Sequence, residues 1–569
     1  MIAAGFRTLI DALNAAPAQR EFITSWIDED ERETVNFGEF RRRARQQAVL
    51  LRQYDVAVGD RVVIIMPQGI PAMTVFVGAM MLGAVPTFLA YPNFKVEPAK
   101  YRSGLAGVTS NLSACVVVID EHFPDEMLGH VTLGEAELVR ATDAATAEAG
   151  VELPDAGTDA TSLAFLQHSA GTTGLQKGVA LSHEAVLRQL QSLVQALQID
   201  GAADRVYSWL PLYHDMGLIA CFMLPLVCHM PVVMQSPLDW VMHPETMLQI
   251  ISEYRCTLAW LPNFTFQFVP RRTPRERWRQ YDLSSARALI NCSEPVRAAS
   301  MDEFYRSFAP IGLKREALQS SYAMAENVFA VTQSGINGRT GPARLWADGR
   351  RFRCEHRVDP VAAETPEAVP LVSSGQLLPG NEVRILSDSG ATCSDGQVGE
   401  ILIRSNCLFD GYYNRPDLTA QAIVDGWYHS GDLGCCLDDE LYVIGRKRDL
   451  LIIGGENIYP QDIEEIATSH PAIHDGRAVA MGLYNPDLGT EEIVLVAEVE
   501  REELLQNGAA IESEMRSQIV AGAGVAVRTI FLKPPKWIVK STAGKPARAA
   551  TRDKLLREHP ELQQENPDS

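Results

Sequence analysis

Cysteine is scarce and unpatterned in this chain, which has ten cysteines among 569 residues and no C-x-x-C pair. This excludes a disulfide framework and a structural zinc site, and we expect a cytoplasmic protein with reduced thiols. Basic residues are also in deficit, because 51 Lys plus Arg against 72 Asp plus Glu give a formal net charge of −21. Such a chain has no overall field that attracts nucleic acid, so we expect no nucleic-acid partner.

A long apolar run is missing as well. The longest apolar stretch, residues 76–91, is broken by Pro86, Gly78 and Gly83. It is shorter than the roughly 20 residues that span a bilayer, so we expect no transmembrane segment. The N-terminus also lacks the apolar core of a signal peptide. With 46% hydrophobic and 22% charged residues, the composition is typical of a folded globular protein with several domains.

Strand-like apolar runs alternate with helical patterns through the first two thirds of the chain. Runs of this kind begin at Arg61, Ala114 and Leu163 and predict crossover units on parallel sheets. From about Ser373 the pattern changes to short strands with turns, which is typical of a small barrel or an antiparallel sheet. A new compact unit is predicted from about Gly445, with its own helix (PQDIEEIATSH) and strand (EEIVLVAEVE).

A loop rich in hydroxyls and glycines, SAGTTGLQKG, runs from Ser169 to Gly178 between a strand and a helical pattern. It offers many amide donors and, in Lys177, a cation, and these features suit polyphosphate oxygens. It is not a Walker loop, because Gln176 precedes the lysine and a glycine follows it. Taken alone, the segment is equally compatible with an ordinary polar turn.

Five further motifs follow this loop in order. They are SWLPLYHDMGLI from Ser208, YAMAE from Tyr322, YHSGD from Tyr428, GRKRD from Gly445 and STAGK from Ser541. Together with the loop they resemble the adenylate-forming superfamily, which comprises acyl-CoA synthetases, fatty acyl-AMP ligases and peptide-synthetase adenylation domains. The resemblance covers nearly the whole chain. It implies an α/β N-terminal domain (1–445) with a small β-barrel subdomain, hinged to a smaller α+β C-terminal domain (446–569).

Within the superfamily the chain is most similar to the fatty acyl-AMP ligases. The similarity includes NCSEPV from Asn291 and a long segment between Glu326 and Gly375. This segment (about 338–371) resembles the insertion that restrains the C-terminal domain in those ligases. The resemblance implies ATP-dependent activation of a fatty or related acid, then transfer to the phosphopantetheine of an acyl carrier protein. CoA stays open as acceptor, because GGENIYP from Gly454 is more similar to the CoA synthetases.

The resemblance also implies roles for individual residues. Glu326 and Thr173 would hold Mg²⁺, which prefers carboxylate, hydroxyl and phosphate oxygens. Asp432 would accept both ribose hydroxyls, and Arg446 would support the ribose or a phosphate. Further nucleotide-binding positions are Ser169, Gly171, Thr172, Thr173, Gly174, Lys177, Ser293, Glu294, Pro295, Ser321, Tyr322 and Ala323, the last in place of the glycine usual in the family.

Three more roles follow from the resemblance. His214 would stand at the mouth of the acyl pocket, Arg448 would form the hinge, and Lys545 would reach the α-phosphate and the carboxylate of the acid. Each has a plainer alternative, namely a structural histidine, a solvated basic turn and a solvated tail lysine. A non-catalytic relative that only binds nucleotide or acyl groups is a remote alternative, because it would be expected to lack some of these charged residues.

For two stretches the sequence is compatible with either a functional or a structural role. Phe264, Phe266 and Phe268 alternate at strand spacing and would either line an acyl tunnel or fill the core. The basic stretch 271–279 would either dock an acidic carrier protein or form a solvated helix face. The polar C-terminal tail is expected to fray.

Overall fold

The computed structural model describes residues 5–28, 30–91, 111–128, 131, 136–141, 153, 155–168, 177–336, 340–453, 456–485, 490–540 and 545–562. Among these residues, no helix is long and apolar enough to cross a membrane. The predicted phosphate-binding positions Ser169, Gly171, Thr172, Thr173 and Gly174 lie outside them. So does residue range 563–569, where the sequence predicts a frayed tail.

Two parallel sheets carry the N-terminal domain, as the apolar runs from Arg61 and Ala114 predict. The same prediction for the run from Leu163 was wrong, because this strand pairs antiparallel with Gly178–Ser182 in a separate sheet. The larger has seven strands, and every neighbouring pair is parallel except the last two. In order across the sheet they are Leu318–Ser320, Ala288–Asn291, Leu258–Leu261, Val206–Ser208, Val232–Gln235, Glu21–Trp26 and Arg32–Asn36. The smaller is wholly parallel, in the order Val85–Phe88, Arg61–Ile65, Val116–Ile119 and Glu137–Arg140.

Close helix packing explains one glycine of the long apolar stretch. The helix Ile70–Met81 connects two parallel strands and packs against the helix Phe37–Gln53. A Cβ on Gly78 would lie 2.6 Å from the carbonyl oxygen of Ala44 and 2.9 Å from the amide nitrogen of Ala48. Since neither backbone atom can move without breaking its helix, only glycine permits this approach. The apolar stretch is therefore the end of a buried core helix followed by the buried strand Val85–Phe88, as its pattern predicts.

Helices cover both parallel sheets and the C-terminal part of the chain. Their bounds are Leu9–Ala15, Phe37–Gln53, Ile70–Met81, Asp125–Leu128, His183–Leu197, Met216–Met223, Leu224–Cys228, Pro237–Met242, Thr246–Tyr254, Thr265–Arg272, Arg275–Trp278, Ala298–Phe308, Gly349–Cys354, Pro416–Ala422, Pro460–Thr468, Gly508–Ala523 and Arg548–Glu558.

A small antiparallel sheet contains the two strands that precede and follow the predicted phosphate loop in sequence. The strands Leu163–His168 and Gly178–Ser182 form a hairpin around the loop, and Gly411–Tyr412 pairs with the second strand. The sequence predicts that the loop runs directly into a helix. In the structure the strand Gly178–Ser182 intervenes, and the helix begins at His183 with Ser182 as its N-cap. The run GVALS is only five residues long, so the sequence pattern does not distinguish this strand from the helix that follows it.

The short strands predicted after Ser373 form a five-stranded antiparallel sheet, as expected. Its strands are Asn381–Leu386, Gly399–Ser405, Ile423–Val424, Trp427–Leu437 and Glu440–Arg446. The insertion-like segment lies beside it and forms a small sheet of its own, with a helix after the first strand. These elements are Arg344–Ala347, Gly349–Cys354, Pro360–Val361 and Val369–Val372. Thr332–Gln333 pairs with Gln376–Leu377.

The C-terminal domain follows the single helical turn Lys447–Asp449 and is smaller, as predicted. It contains the hairpin Leu451–Ile453 and Glu456–Ile458, then a sheet of Ile473–Asn485, Thr490–Val499 and Val527–Lys533. The predicted helix PQDIEEIATSH and strand EEIVLVAEVE are both present, as Pro460–Thr468 and Thr490–Val499.

The insertion touches the C-terminal domain. The ring of Phe352, on the insertion helix, lies 5.3 Å from the ring of Tyr459, and both side chains are buried in one apolar cluster with Leu433 and Tyr442. This cluster joins the insertion, the antiparallel sheet and the start of the C-terminal domain. Any rotation of that domain about the Lys447–Asp449 turn would have to separate these side chains.

Candidate active site

A cleft of about 2880 Å³ lies between the two domains. It is lined by residues at or just after the carboxyl ends of the parallel strands, including Trp26, Met66, Trp209 and Ser236. Ligands of open α/β sheets bind at this edge, because the strands end there and the loops leave a crevice. The cleft is therefore the place to look for the predicted site residues.

Lys545 reaches from the C-terminal domain into the cleft. Its ammonium donates a hydrogen bond to the carbonyl oxygen of Ser293, in the NCSEPV motif of the N-terminal domain. Ser293 has a φ of 68°, a left-handed conformation that is uncommon outside glycine and is found at ligand sites. Two motifs that are 252 positions apart thus meet in space.

His214 and Asp215 lie in the cleft wall next to this contact. The Nδ1 atom of His214 is 2.6 Å from Oδ1 of Asp215. Burial acts to raise the pKa of Asp215, but the charge of His214, its hydrogen bonds and the nearby Lys545 together lower it below the ordinary value. Asp215 is therefore an ionised carboxylate that fixes the histidine ring.

A π-helix begins directly after this pair, at Met216–Met223. Such helices are rare and often mark functional sites. A Cβ on Gly217 would collide with the carbonyl oxygen of Pro211, so the glycine in LPLYHDMGLI is needed for the close approach of the helix to the preceding loop. The local fold aims His214 into the cleft because the chain doubles back there.

Asp432 forms the centre of a second group. Its Oδ2 accepts a hydrogen bond of 2.6 Å from the hydroxyl of Tyr322, and Nε of Arg446 lies 3.5 Å from its Oδ1. Strand pairing explains the arrangement, because Asp432 and Arg446 are direct partners on neighbouring antiparallel strands. Burial raises the pKa of Asp432, while Arg446 and the tyrosine hydroxyl oppose the shift. The three predicted nucleotide-binding residues are thus brought together.

Glu326 belongs to a third group, built around a tyrosine that the sequence analysis missed. The hydroxyl of Tyr412 donates a 2.7 Å hydrogen bond to Oε1 of Glu326. Nζ of Lys177 lies 4.4 Å from the centroid of the same ring. Val328, two residues after Glu326, has a φ of 59°, which is a strained conformation for a β-branched side chain. Tyr412 therefore links the end of the predicted phosphate loop with the predicted magnesium ligand.

The remaining predicted positions also line the cleft. Pro295 and Ala323 face it, and Glu294 accepts a hydrogen bond of 3.0 Å from the amide of Phe264. The hydroxyl of Ser321 donates to the carbonyl oxygen of Thr332 and so holds the segment before Tyr322 in place. Arg448, the predicted hinge residue, lies in the turn Lys447–Asp449 between the two domains.

The three phenylalanines of NFTFQFVP do not form a strand. Their segment is the helix Thr265–Arg272, with Phe264 as its N-cap. Phe264 and Phe268 are four positions apart and lie on one face, with ring centroids separated by 6.1 Å, and both line the cleft. Phe266 lies on the other face, fully buried against Phe304. The strand interpretation was therefore wrong, because the four-position spacing of Phe264 and Phe268 fits the helical period as well as the strand period.

Aromatic rings form one wall of the cleft. The indole rings of Trp209 and Trp240 stack at 3.8 Å, and Phe264 contacts both rings edge-on. Trp209 and Phe264 line the cleft, whereas Trp240 is fully buried and supports them from behind. Trp260 contributes no surface either, because it is fully buried in its strand. The wall gives the cleft an apolar arm beside the polar groups around Asp432 and Glu326.

Ion pairs hold the two domains together around the cleft. Arg297 of the N-terminal domain lies 3.1 Å from Oδ1 of Asp462 and 2.8 Å from Oε2 of Glu465, both in the C-terminal domain. Arg271 pairs with Asp475 at 3.2 Å, and Arg272 pairs with Glu500 at 3.3 Å. Part of the basic stretch is thus engaged with the C-terminal domain, which the sequence does not indicate.

A model of the AMP-binding enzyme family matches residues 11–413. The chain belongs to that family. The matched range includes the residues of the cleft up to Tyr412, whereas Asp432, Arg446 and Lys545 lie beyond it.

Two relatives align with almost the whole length of this chain. A 4-hydroxyphenylalkanoate adenylyltransferase of Mycobacterium marinum is 30% identical over 543 residues, covering 91% of this chain and 85% of the relative. The medium-chain-fatty-acid–[acyl-carrier-protein] ligase JamA of Moorena producens is 29% identical over 576 residues, covering 97% and 95%.

A solved structure from work on the fatty acyl-adenylate ligases of E. coli and L. pneumophila is similar with a TM-score of 0.90 at 27% identity. It covers 98% of this chain and 99% of that one. The predictions of the adenylate-forming family, of its two-domain α/β fold and of an AMP-forming acyl ligase are therefore confirmed.

Proposed function

We propose that this ligase activates a fatty or related carboxylic acid as its acyl adenylate and then transfers the acyl group to the phosphopantetheine thiol of an acyl carrier protein. The observation that carries the proposal is the contact of Lys545 with Ser293, which brings a cation of the C-terminal domain beside His214 in the cleft. Enzymes of the family use ATP, so the substrates are ATP and the acid.

In the first half-reaction a carboxylate oxygen of the acid attacks the α-phosphorus of ATP. A new P–O bond forms, the bond to the leaving pyrophosphate breaks, and the acyl adenylate results. The difficulty is electrostatic, because two anions must meet. Fixed cations lower that barrier when they stand where negative charge accumulates. We infer that Lys545 acts at the α-phosphate and the carboxylate, and that Lys177 acts at the outer phosphates.

The nucleoside would be bound by the second group. Asp432 has two carboxylate oxygens for the two ribose hydroxyls, and Tyr322 and Arg446 fix its orientation. Ser293, Glu294, Pro295, Ser321 and Ala323 would form the walls around the adenylate. Phe264 and Trp209, which Trp240 supports from behind, would bind the acyl group, with His214 at the mouth of the acyl pocket.

Mg²⁺ fits the residues that are present. Among the described residues there is no cluster of three metal-binding side chains. Mg²⁺ commonly needs only one or two protein ligands, since substrate phosphates and water supply the rest. Glu326, oriented by Tyr412, and the hydroxyl of Thr173 would hold it. When bound, the ion neutralises charge on the phosphates.

In the second half-reaction the thiol sulfur of phosphopantetheine attacks the acyl carbon. A C–S bond forms, the C–O bond to the phosphate breaks, AMP leaves, and the thiol proton passes to solvent. We place the domain boundary at 445/446, with Arg448 in the hinge. The packing of Phe352 on Tyr459 supports a carrier protein as acceptor, because an insertion that restrains the C-terminal domain is the feature shared with fatty acyl-AMP ligases.

CoA is the second candidate acceptor. The relative from Moorena producens is named for a carrier protein, whereas one from Mycobacterium leprae is named for CoA. The loop at Gly454 and Gly455, the sequence feature that favours CoA, lies outside the described residues. A purely binding relative has little support, because Glu326, Asp432, Arg446 and Lys545 are all retained and all reach the cleft.

The proposal is tested with purified protein, radiolabelled ATP and a panel of carboxylic acids, each offered phosphopantetheinylated carrier protein or CoA. We expect acid-dependent release of pyrophosphate and acylation of the carrier. A second preparation carries Phe352→Ala, which loosens the insertion from Tyr459 and should raise the small amount of acyl-CoA formed. Comparable wild-type rates with CoA and with carrier would contradict the choice of acceptor. The absence of acid-dependent pyrophosphate release would contradict the first half-reaction.

A further inference from the structure

We propose that the arginine face, defined as Arg271, Arg272, Arg275, Arg277 and Arg279, is the docking surface for the acidic carrier protein, and that the C-terminal domain competes for it. The proposal rests on the proposed function, because it requires a carrier protein as acceptor. It commits to one occupant, a protein surface rich in carboxylates, which would bind these arginines in place of carboxylates of the C-terminal domain.

The location of the arginine face favours docking at the mouth of the cleft. The helix Thr265–Arg272 begins beside the aromatic wall, at Phe264, and ends at Arg272. Eight helical residues span about 12 Å, so the two ends are that far apart. Arg271, Arg272 and Arg277 line the same cleft as Phe264. A partner held at the arginines would therefore stand over the entrance to the apolar arm.

The arginine face already binds carboxylates of another domain. Arg272 pairs with Glu500 and Arg271 with Asp475, both in the C-terminal domain. Arg271 is also bound by Glu303, and Arg277 by Glu245, both in its own domain. Ion pairs at this degree of exposure are weak, so an incoming carboxylate can replace them at little cost.

Two arginines remain for a partner even in this arrangement. Arg275 and Arg279 are exposed, and no carboxylate of the described chain pairs with either. They flank Trp278, whose buried side chain anchors the segment between them. Glu276 is the one acidic residue within the stretch. The face thus presents unpaired positive charge on a chain whose net charge is −21, where an acidic partner is otherwise repelled.

If the C-terminal domain competes with the carrier for these arginines, one pair of substitutions should raise KM for the carrier and another should lower it. The double variant Arg275→Glu/Arg279→Glu removes charge that no carboxylate of the described chain pairs with, although Arg275 also lies 6.0 Å from the centroid of the Trp278 ring, so KM for the carrier should rise by roughly tenfold or more. Adenylation measured as pyrophosphate release should be unchanged. The double variant Asp475→Asn/Glu500→Gln releases Arg271 and Arg272 from the C-terminal domain, so KM for the carrier should fall severalfold.

The test measures carrier acylation from supplied acyl adenylate, over a range of carrier concentrations and at two salt concentrations. Arg7→Glu/Arg557→Glu, two exposed arginines on other elements, serves as the matched control. Three results together support the proposal. The wild type transfers the acyl group to the carrier at low salt, KM for the carrier rises in Arg275→Glu/Arg279→Glu, and it falls in Asp475→Asn/Glu500→Gln. An unchanged KM in the first variant overturns it. An equal loss of both half-reactions overturns it as well and makes the face structural. A wild-type enzyme that acylates CoA but no carrier refutes the proposed function itself.

Discussion

At the scale of single residues, the predicted site residues of the cleft are held by neighbouring side chains, and one of these, Tyr412, belongs to none of the motifs. Asp215 fixes His214, Tyr412 orients Glu326, and Tyr322 with Arg446 positions Asp432. Each supporting contact joins a motif residue to a side chain whose position depends on the folded chain. This is why the motifs predict the charged residues and miss Tyr412, which stands in an unremarkable stretch of sequence.

Asp432→Asn should weaken ATP binding without unfolding the protein. The substitution removes one negative charge and one acceptor, and hydrogen bonds to charged groups contribute about 1.5–3 kcal/mol. KM for ATP in pyrophosphate release should therefore rise by roughly 10- to 100-fold. Asp439→Asn is the matched control, because Asp439 is exposed in the turn that follows the same strand. Equal KM values for the two variants would remove Asp432 from the nucleotide site.

His183 should make stability depend on pH. It is buried, its Nδ1 accepts a hydrogen bond from the amide of Leu9, and burial lowers its pKa to about 4. The unfolded chain binds this proton near pH 6.5, so it holds more protons than the folded chain between about pH 6.5 and 4. Stability should fall as pH is lowered through that window, by on the order of 3 kcal/mol for this residue.

The measurement is the free energy of unfolding as a function of pH for the wild type and for His183→Asn. Asparagine keeps an acceptor for the Leu9 amide but does not titrate, so the variant should show a flatter profile between pH 6.5 and 4. Parallel profiles for the two proteins would contradict the prediction, because they would show that protonation of His183 does not lower the free energy of unfolding.

At the scale of elements, the helix Thr265–Arg272 illustrates how one segment divides its tasks by face. Phe264 and Phe268 line the cleft, Phe266 fills the core, and the two arginines of the last turn meet the C-terminal domain. The sequence could not separate a strand from a helix here, because Phe264 and Phe268 are four positions apart and share a face in either. The structure decides in favour of the helix through tertiary packing on Trp240 and Phe304.

The two faces of this helix predict opposite effects of the same substitution. Phe266→Ala should lower the free energy of unfolding by about 3–5 kcal/mol, because a fully buried ring is lost. The acid preference of the folded fraction should not change. Phe264→Ala should leave stability nearly intact but raise KM for the acid roughly tenfold, since about 1–2 kcal/mol of apolar contact is removed. Denaturant titration and the acid panel check both; a reversed pattern would contradict the assignment of the faces.

At the scale of the whole molecule, the sequence predicts those features that depend on neighbouring residues, namely the strands and helices. Buried parallel strands appear as apolar runs such as RVVII, and the C-terminal helix and strand have their own periodicities. The ion pairs between the domains could not be predicted, since Arg297 and Asp462 are 165 positions apart and Arg271 and Asp475 are 204 apart. Charge alone does not say which of 72 acidic residues an arginine meets.

The central claim is that Lys545 enters the cleft to serve the first half-reaction only. A fixed ammonium beside the α-phosphate acts on the transition state more than on bound ATP, so its loss should lower the rate more than the affinity. Removal of one such group commonly costs about 10²–10³ in rate. Thiol attack on a finished adenylate does not need this cation at the α-phosphate.

The most direct test is to measure both half-reactions of Lys545→Ala on one folded preparation, beside the wild type. Lys536→Asn is the matched control, because Lys536 lines the same cleft from the same domain and asparagine tolerates its left-handed backbone. We predict that Lys545→Ala loses pyrophosphate release by about 10²–10³ but still transfers the acyl group from supplied acyl adenylate to the carrier at close to the wild-type rate. Equal loss in both half-reactions, or near-normal pyrophosphate release, would contradict the account.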